Sequence, residues 1–150
     1  MKLEEELKQT KFKDEYQHAM LNIIFTGSWL EVATSHILKQ FDLSPQQFNV
    51  LRILRGSYPR PLNLLDIQER MMDRMSNATR LVEKLRQKGL LTRKQCDSNR
   101  RKVEIEVTEK GLNLLKELDP LMDKSHKELT KKITKEEAIL LNELLDKLRS

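Results

Sequence analysis

A single cysteine, Cys96, is the only thiol in the sequence, which excludes an internal disulfide framework and fits a reducing cytoplasm. Long hydrophobic runs are also missing. No stretch of 18 or more apolar residues occurs, so no membrane span or membrane partner is expected. The N-terminal stretch MKLEEELKQTKFKDEYQ is polar and lacks the apolar core of a secretory signal. These absences favour a protein that works in the cytoplasm.

The sequence also lacks the short motifs of common catalytic sites. It contains no Gly-rich phosphate loop, no G-x-S-x-G, no H-E-x-x-H and no paired carboxylates in a turn-rich segment. Its histidines, His18, His36 and His126, are widely separated and have no metal-ligand spacing. We therefore expect no enzyme, no metal site and no cofactor.

The positive charge of the chain is concentrated in one segment. The net charge of the 150 residues is +5, whereas residues 76–102 hold nine basic and two acidic side chains and sum to +7. A local basic field of this kind attracts a polyanion, although a solvated basic surface gives the same pattern. The hydrophobic share of 38% permits one domain, spanning residues 1–150, with a lean core that a second copy of the chain could complete.

Helical spacing of apolar residues dominates the N-terminal part of the chain. One apolar stripe runs from Phe12 to Phe41, and Gly27 inside it is expected to loosen or bend the helix. A second helix begins at Ser44, which forms a capping box with Gln47, and it ends within the stretch GSYPRP. These patterns predict helices on both sides of residue 42.

Two shorter helical segments follow, separated by a few residues. The first is LNLLDIQERM, which Asn63 can cap, and the second is SNATRLVEKLRQKG, which Gly89 ends. The second carries an apolar stripe at i, i+3, i+4 and i+7, formed by Ala78, Leu81, Val82 and Leu85. Two such helices with a short connection predict a helix-turn-helix.

The period of the pattern then changes from helix to strand. An extended run from Leu90 to Lys94 is followed by a turn at Asp97–Asn99, and apolar residues then alternate from Val103 to Val107. This predicts a β-hairpin joined directly to the helix-turn-helix. The predicted fold is thus mainly α with a small β-hairpin wing, and the winged helix-turn-helix covers about residues 42–108.

Two more helices are predicted after the hairpin. Thr108 can cap the first, in which Pro120 is expected to cause a kink or a break. Thr134 and Glu137 form a capping box for the second. Apolar residues on both helices supply more apolar surface than a small winged helix can cover, namely Leu112, Leu115, Leu141, Leu144, Leu145 and Leu148. These helices could close a monomeric core. Because the long N-terminal helix also needs a partner, we expect a homodimer built from the helical parts at about residues 1–41 and 109–150.

The outward face of the Ser76–Lys88 helix has the chemistry that DNA requires. With the apolar stripe inward, the polar face and its flanks suit bases and phosphates of a major groove. The candidate DNA contacts on this helix are Ser76, Asn77, Thr79, Arg80, Lys84 and Arg86. Glu83 fits this face only if it pairs with Arg86 or accepts a hydrogen bond from cytosine.

The hairpin tip contains two adjacent arginines. An arginine at the tip of a wing can enter the minor groove of A·T-rich DNA, where the negative potential is enhanced. We expect Arg100 to enter the groove and Arg101 to support the tip, although the two roles could be reversed.

At these residues the sequence resembles the MarR family of bacterial winged-helix regulators. The matching stretches are LSPQQFNVLRIL, SNATRLVEKLRQKGLLTR and DSNRRKVEIEVTEKG, in the family's order from about Ala33 to Leu118. The wing is the most specific part, with a basic pair, an alternating strand, then a Thr and a Gly three residues on. Asn99 stands where the family usually has Asp, and Asp97 is the alternative charge partner.

The resemblance implies a cytoplasmic, nucleoid-associated transcription regulator. It implies a homodimer that binds a palindromic operator in double-stranded DNA, with half-sites roughly 10 bp apart, and that usually represses. It also implies release of DNA by a small lipophilic or phenolic effector. Phe25, Trp29, His36 and Phe41 are candidates for lining the effector pocket, or they belong to the ordinary core.

Two alternatives remain at this point. Cys96 lies close to Arg93, Lys94 and Arg100, whose positive charge would lower the pKa of a thiol, so the chain could be an oxidant-sensing regulator. It could instead be a winged-helix protein-interaction module. Such a module would carry apolar residues on the outer face of the Ser76 helix, and the sequence has polar ones there.

Overall fold

The computed structural model describes residues 1–96 and 99–150, and for residues 96, 99–102 and 129 it describes the backbone without the side chains. In these ranges the chain forms seven helices and one antiparallel hairpin, which confirms the expected fold class. The elements are α1 (Leu3–Leu7), α2 (Glu15–Lys39), α3 (Pro45–Ser57), α4 (Leu64–Arg70), α5 (Ala78–Gln87), β1 (Leu91–Cys96), β2 (Asn99–Val107), α6 (Glu109–Thr130) and α7 (Lys135–Leu148). They divide into two compact units, Met1–Asn49 and Val50–Ser150.

The first unit begins with a short helix and a long one, which corrects the predicted start at Phe12. Lys8 has a left-handed backbone with φ 51° and ends α1. The side chain of Asp14 accepts a hydrogen bond from the Gln17 N–H at 2.8 Å and starts α2. Phe12 therefore lies between the two helices, where its ring stacks on His18 with the ring centroids 4.2 Å apart. The helix α2 runs through Gly27 without a break.

The predicted capping box at the start of α3 is confirmed. The backbone N–H of Gln47 donates to the Ser44 hydroxyl at 3.1 Å, and the Ser44 N–H donates to the Gln47 side chain at 3.0 Å. This reciprocal pair satisfies two backbone donors that a helix start leaves open.

The helix-turn-helix consists of α4 and α5. Asn63 caps α4 as predicted, and its partner in the capping box is Asp66, whose N–H donates to the Asn63 side chain at 2.8 Å. The core beneath the two helices contains the fully buried side chains of Ile67, Val82 and Leu85. Gly89 has φ +71° and ends α5, since this left-handed conformation favours glycine.

The hairpin packs its apolar residues inward and is joined by an isolated β-bridge from Leu62. Leu91 pairs with Val107, and Arg93 pairs with Ile105. Leu62, just before α4, exchanges two backbone hydrogen bonds with Ile105, at 3.0 and 2.8 Å. This bridge connects the wing to the helix-turn-helix.

The sequence predicted the hairpin turn at Asp97–Asn99, and the structure corrects the C-terminal end of this turn. Asn99 belongs to β2 and lies opposite Cys96, so it is a strand residue rather than a turn residue. Because β2 is longer than β1, the two strands cannot pair residue by residue along their whole length. The register shifts between Gln95 and Cys96, and this irregularity accommodates the extra residues of β2. Asp97 and Ser98 lie outside the described residues.

The junction between the wing and α6 fastens three elements together. The Thr108 hydroxyl donates to the Gly89 carbonyl at 2.8 Å and accepts from the Gly111 N–H at 3.1 Å, which confirms Thr108 as a cap. Gly111 approaches the chain so closely that a Cβ there would lie 2.3 Å from the Leu90 carbonyl oxygen. The end of α5 and the start of α6 are therefore fixed relative to each other.

The helix α6 continues through Pro120, so of the predicted kink or break the break is wrong, and the kink stays a prediction. Proline removes the hydrogen bond to the carbonyl of Lys116, but both residues are exposed and water can reach that carbonyl. An ion pair also holds this part of α6, because Arg55 on α3 binds the Asp119 carboxylate with three N–O distances of 2.9 to 3.0 Å.

The last helix, α7, starts at the predicted capping box. The Glu137 N–H donates to the Thr134 hydroxyl at 3.2 Å, and the Thr134 N–H donates to the Glu137 carboxylate at 2.7 Å. The helix has no buried residue, although one of its faces is apolar. In the part of the chain that the structure describes, no helix is long and apolar enough to cross a membrane.

Candidate nucleic-acid interface

The helix α5 has one buried apolar face and one exposed polar face. Ala78, Val82 and Leu85 are buried against the rest of the unit. The exposed side chains of α5 are Thr79, Arg80, Lys84, Arg86 and Gln87. A helix with a polar, mostly basic outer face is what the major groove of DNA admits.

The start of α5 is built from residues that the sequence put forward as DNA contacts. Asn77 is the N-cap, and its side-chain oxygen accepts from the Arg80 N–H at 3.0 Å. The Asn77 amide nitrogen donates no hydrogen bond to the described part of the chain, and its two N–H groups can reach a base or a phosphate. Ser76 lies before the cap, and its hydroxyl donates to the Asp73 carboxylate at 2.6 Å. In this arrangement the Ser76 hydroxyl offers an acceptor, not the donor that a phosphate requires.

The turn between α4 and α5 is held by residues that the sequence pattern indicated only as a short connection. The Asp73 carboxylate accepts from the Ser76 hydroxyl and from the Met75 N–H at 3.0 Å, and these hydrogen bonds hold the pKa of Asp73 below its ordinary value. The Gln68 amide donates to the carbonyls of Arg74 and Ser76, at 2.5 and 3.2 Å. The Asp-x-x-Ser spacing is a local turn signal that could have identified Asp73.

Glu83 is the acidic exception on the outer face, and it pairs with Arg86. The guanidinium of Arg86 binds both carboxylate oxygens, at 2.8 and 3.0 Å, and the Gln87 amide adds a bond at 3.2 Å. Arg86 holds the pKa of Glu83 below its ordinary value, with smaller contributions from Gln87 and Arg93, and the pKa of Arg86 is raised in return. The charge of Arg86 is thus largely compensated, whereas no ion pair joins Arg80 or Lys84 to a described residue.

The wing adds basic residues next to this helix. Arg93 and Lys94 are exposed on β1. Arg100 and Arg101 belong to β2, but their side chains lie outside what the structure describes, so their roles at the hairpin tip stay predictions. The same holds for the Cys96 thiol at the end of β1.

The four candidate pocket residues belong to the first unit. Phe25, Trp29 and His36 lie on one face of α2, because their spacing of 4 and 7 residues matches the helical repeat. Phe25 and His36 are roughly 16 Å apart along the helix axis, so a small ligand contacts neighbouring members of the set rather than all of it. Phe41 follows the end of α2. The proposed pocket stays a prediction.

A short helix, a basic second helix and an adjoining hairpin define a winged helix-turn-helix, the class of protein that places one helix in the major groove. Among known proteins, the model of the MarR family matches residues 43–103. The HTH-type transcriptional regulator MhqR of Bacillus subtilis (strain 168) is 33% identical over 110 residues, which are 73% of this chain and 74% of MhqR. The chain belongs to the MarR family and is a DNA-binding transcriptional regulator.

Solved structures have the same fold. The MarR transcription factor from Planctomyces limnophilus is 32% identical, with a TM-score of 0.68 over 91% of this chain and 98% of its own. The S. aureus MepR–DNA complex is 21% identical, with a TM-score of 0.74 over 92% of this chain and 97% of that chain. MhqR and the Planctomyces limnophilus protein are transcription regulators, and the likeness to MepR concerns the fold alone.

Proposed function

We propose that the protein is a homodimeric repressor that binds a palindromic operator and releases it when a small lipophilic or phenolic effector binds. The observation that carries this proposal is the exposed basic face of α5, which begins at the Asn77 cap and lies next to the hairpin. In each subunit α5 enters the major groove and the wing follows the duplex toward the minor groove. The two half-sites lie roughly 10 bp apart.

Two exposed apolar faces support the homodimer. On α2, Tyr16 is 87% exposed and Ile24 is 61% exposed. On α7, five apolar residues are between 48% and 68% exposed, namely Ile139, Leu140, Leu141, Leu144 and Leu148. A continuous apolar face of this kind marks a protein-protein interface. A second copy of the chain, paired through the helical parts at about residues 1–41 and 109–150, would cover both faces.

Leu144→Glu tests the dimer. A carboxylate forced into an apolar interface lacks a partner, so we expect the dimer dissociation constant to rise roughly 100-fold. Sedimentation analysis across a concentration series measures this constant. Asn142→Glu is the matched control, since it adds the same charge at an exposed polar position of α7. A wild-type monomer, or equal behaviour of the two variants, would contradict the dimer.

The effector part of the proposal rests on the family and on the aromatic residues of α2. Phe25 is half-buried and Trp29 is partly exposed, so both can contribute apolar surface to a ligand. A screen of phenolic compounds for release of bound DNA tests this part. Compounds that release DNA from the wild type but act weakly on Trp29→Ala would support the assignment.

The DNA-binding experiment is fluorescence anisotropy with the duplex upstream of the protein's own gene and a scrambled duplex. A preference for one sequence, with affinity falling as salt rises, would support a sequence-specific regulator. If the upstream duplex shows no preference, random-sequence selection identifies the preferred duplex. Failure of the selection to enrich any sequence would contradict the proposed function. Repression is tested by transcription from the bound promoter with and without the protein.

Glu83→Gln tests how the outer face of α5 tunes affinity. The variant removes the carboxylate that compensates Arg86, so the guanidinium becomes available to a phosphate. We expect tighter binding to scrambled DNA at low salt, and a salt dependence steeper by about one unit per subunit. Glu117→Gln, an exposed position on α6, changes the net charge equally. Equal effects of both variants would mean that net charge alone is responsible.

A further inference from the structure

The turn that precedes α5 exposes apolar side chains in a polar surface. Met75 is 95% exposed and Met72 is 92% exposed, whereas the neighbouring Met71 is 3% exposed and belongs to the core. Single exposed apolar residues are common and need no explanation. Here, however, the exposed methionine Met75 stands two residues before the helix cap Asn77. It therefore lies where a recognition helix begins to meet DNA.

The backbone on both sides of Met75 is fixed. Its own N–H donates to the Asp73 carboxylate at 3.0 Å, and the flanking carbonyls of Arg74 and Ser76 accept from Gln68. These hydrogen bonds clamp the turn, and the Ser76 hydroxyl and the Met75 N–H hold the pKa of Asp73 below its ordinary value, which favours its charged form. The clamp sets the position of the Met75 backbone relative to the first turn of α5. The side chain then reaches outward by three rotatable bonds.

The groups around Met75 are those of a groove-facing surface. Arg74 precedes it and is exposed, the Asn77 amide nitrogen donates no hydrogen bond to a described residue, and Arg80 lies in the first turn of the helix. Arginine and asparagine can read guanine and adenine through hydrogen bonds. A methionine can form no bidentate hydrogen bond to a base edge. The one apolar group that the major groove offers is the C5 methyl of thymine.

We propose that Met75 is a specificity residue that contacts the C5 methyl group of a thymine in each half-site. This inference rests on the proposed function, because it requires α5 to enter the major groove. The contact removes the methyl group and the methionine thioether from water together, and it adds dispersion contacts between them. It complements Asn77 and Arg80, whose hydrogen bonds to bases do not detect the methyl group of thymine.

A cycle of protein and DNA changes tests the proposal. The probe is the preferred duplex recovered by random-sequence selection with the wild-type protein, and each thymine is replaced in turn by deoxyuridine, which lacks only the methyl group. Wild-type protein should lose about fourfold in affinity at one thymine position of a half-site. Met75→Ala should bind the thymine and uracil duplexes equally at that position, and Met75→Leu should keep part of the preference.

Met72→Ala is the matched control, because Met72 is nearly as exposed and lies in the same turn. It should keep the wild-type preference for the methyl group. Three results would each overturn the assignment. The first is that Met75→Ala and the wild type lose the same affinity when thymine is replaced by uracil. The second is that the wild type loses no affinity at any thymine, and the third is that only Met72→Ala abolishes the loss. Thermal unfolding by circular dichroism should be unchanged in both variants. If selection recovers no preferred duplex, the proposed function itself fails.

Discussion

Gly111→Ala is expected to destabilise the protein by roughly 3 kcal/mol, near the upper end of the usual cost of overpacking. Gly111 is buried in the first turn of α6, and a Cβ there would lie 2.3 Å from the Leu90 carbonyl oxygen and 2.8 Å from a Val107 methyl carbon. The shorter of the two contacts is with the Leu90 backbone, so rotating a side chain cannot relieve it. Relief would require α6 to move away from the end of α5 and loosen the Thr108 hydrogen bonds.

Thermal unfolding measures this effect, and a lower melting temperature by roughly 6–12 °C is expected for a chain of this size. Gly56→Ala is the matched control. Gly56 also lies in a helix, but nothing lies within 4 Å of the position that a Cβ would take there, so alanine should stabilise by up to about 1 kcal/mol. A Gly111→Ala protein as stable as wild type would show that the close approach at Leu90 does not constrain the fold.

Arg80→Ala is expected to lower operator affinity by roughly 30-fold for each half-site, corresponding to loss of about 2 kcal/mol from one bidentate contact with guanine. Arg80 is exposed in the first turn of α5, and the Asn77 cap fixes its backbone N–H at 3.0 Å. Unlike Arg86, it has no acidic partner among the described side chains. Its guanidinium is thus available to a base.

Anisotropy titrations with the operator and with a scrambled duplex separate base reading from charge. Arg80→Ala should weaken operator binding much more than scrambled binding, and single base changes under Arg80 should cost the variant little. Lys84→Ala is the matched control, because this exposed lysine on the same helix is expected to contact phosphate. It should weaken both duplexes alike and reduce the salt slope by about one. Equal losses in Arg80→Ala would make Arg80 a phosphate contact.

Helix starts and the strand period could be predicted because they depend on neighbours in sequence. The caps at Ser44, Asn63 and Thr134 each join residues three positions apart, and the structure contains all three. The alternation from Val103 to Val107 likewise places Ile105 and Val107 in the core. Even the Glu83–Arg86 pair could be foreseen as one of two alternatives, since it spans a single helical turn.

The predictions that failed concern residues whose local structural preference is overridden by their contacts or exposure in the folded chain. Pro120 normally breaks a helix, yet α6 continues through it at an exposed position next to the Arg55–Asp119 ion pair. Phe12 fits a helical stripe, yet the left-handed Lys8 and the stacking on His18 place it between two helices. Propensity is a weak prior that tertiary contacts override.

The sequence by itself thus determined the order of the elements, the helix caps, the inward faces and the concentration of basic charge, because all of these are local properties of the chain. Only the tertiary structure decided how the elements are fastened. The Arg55–Asp119 pair joins residues 64 positions apart, and the Leu62–Ile105 bridge and the approach of Gly111 to Leu90 join different elements. Such contacts join residues that are far apart in sequence, and whether they form depends on how the chain between them is arranged, so no short pattern encodes them.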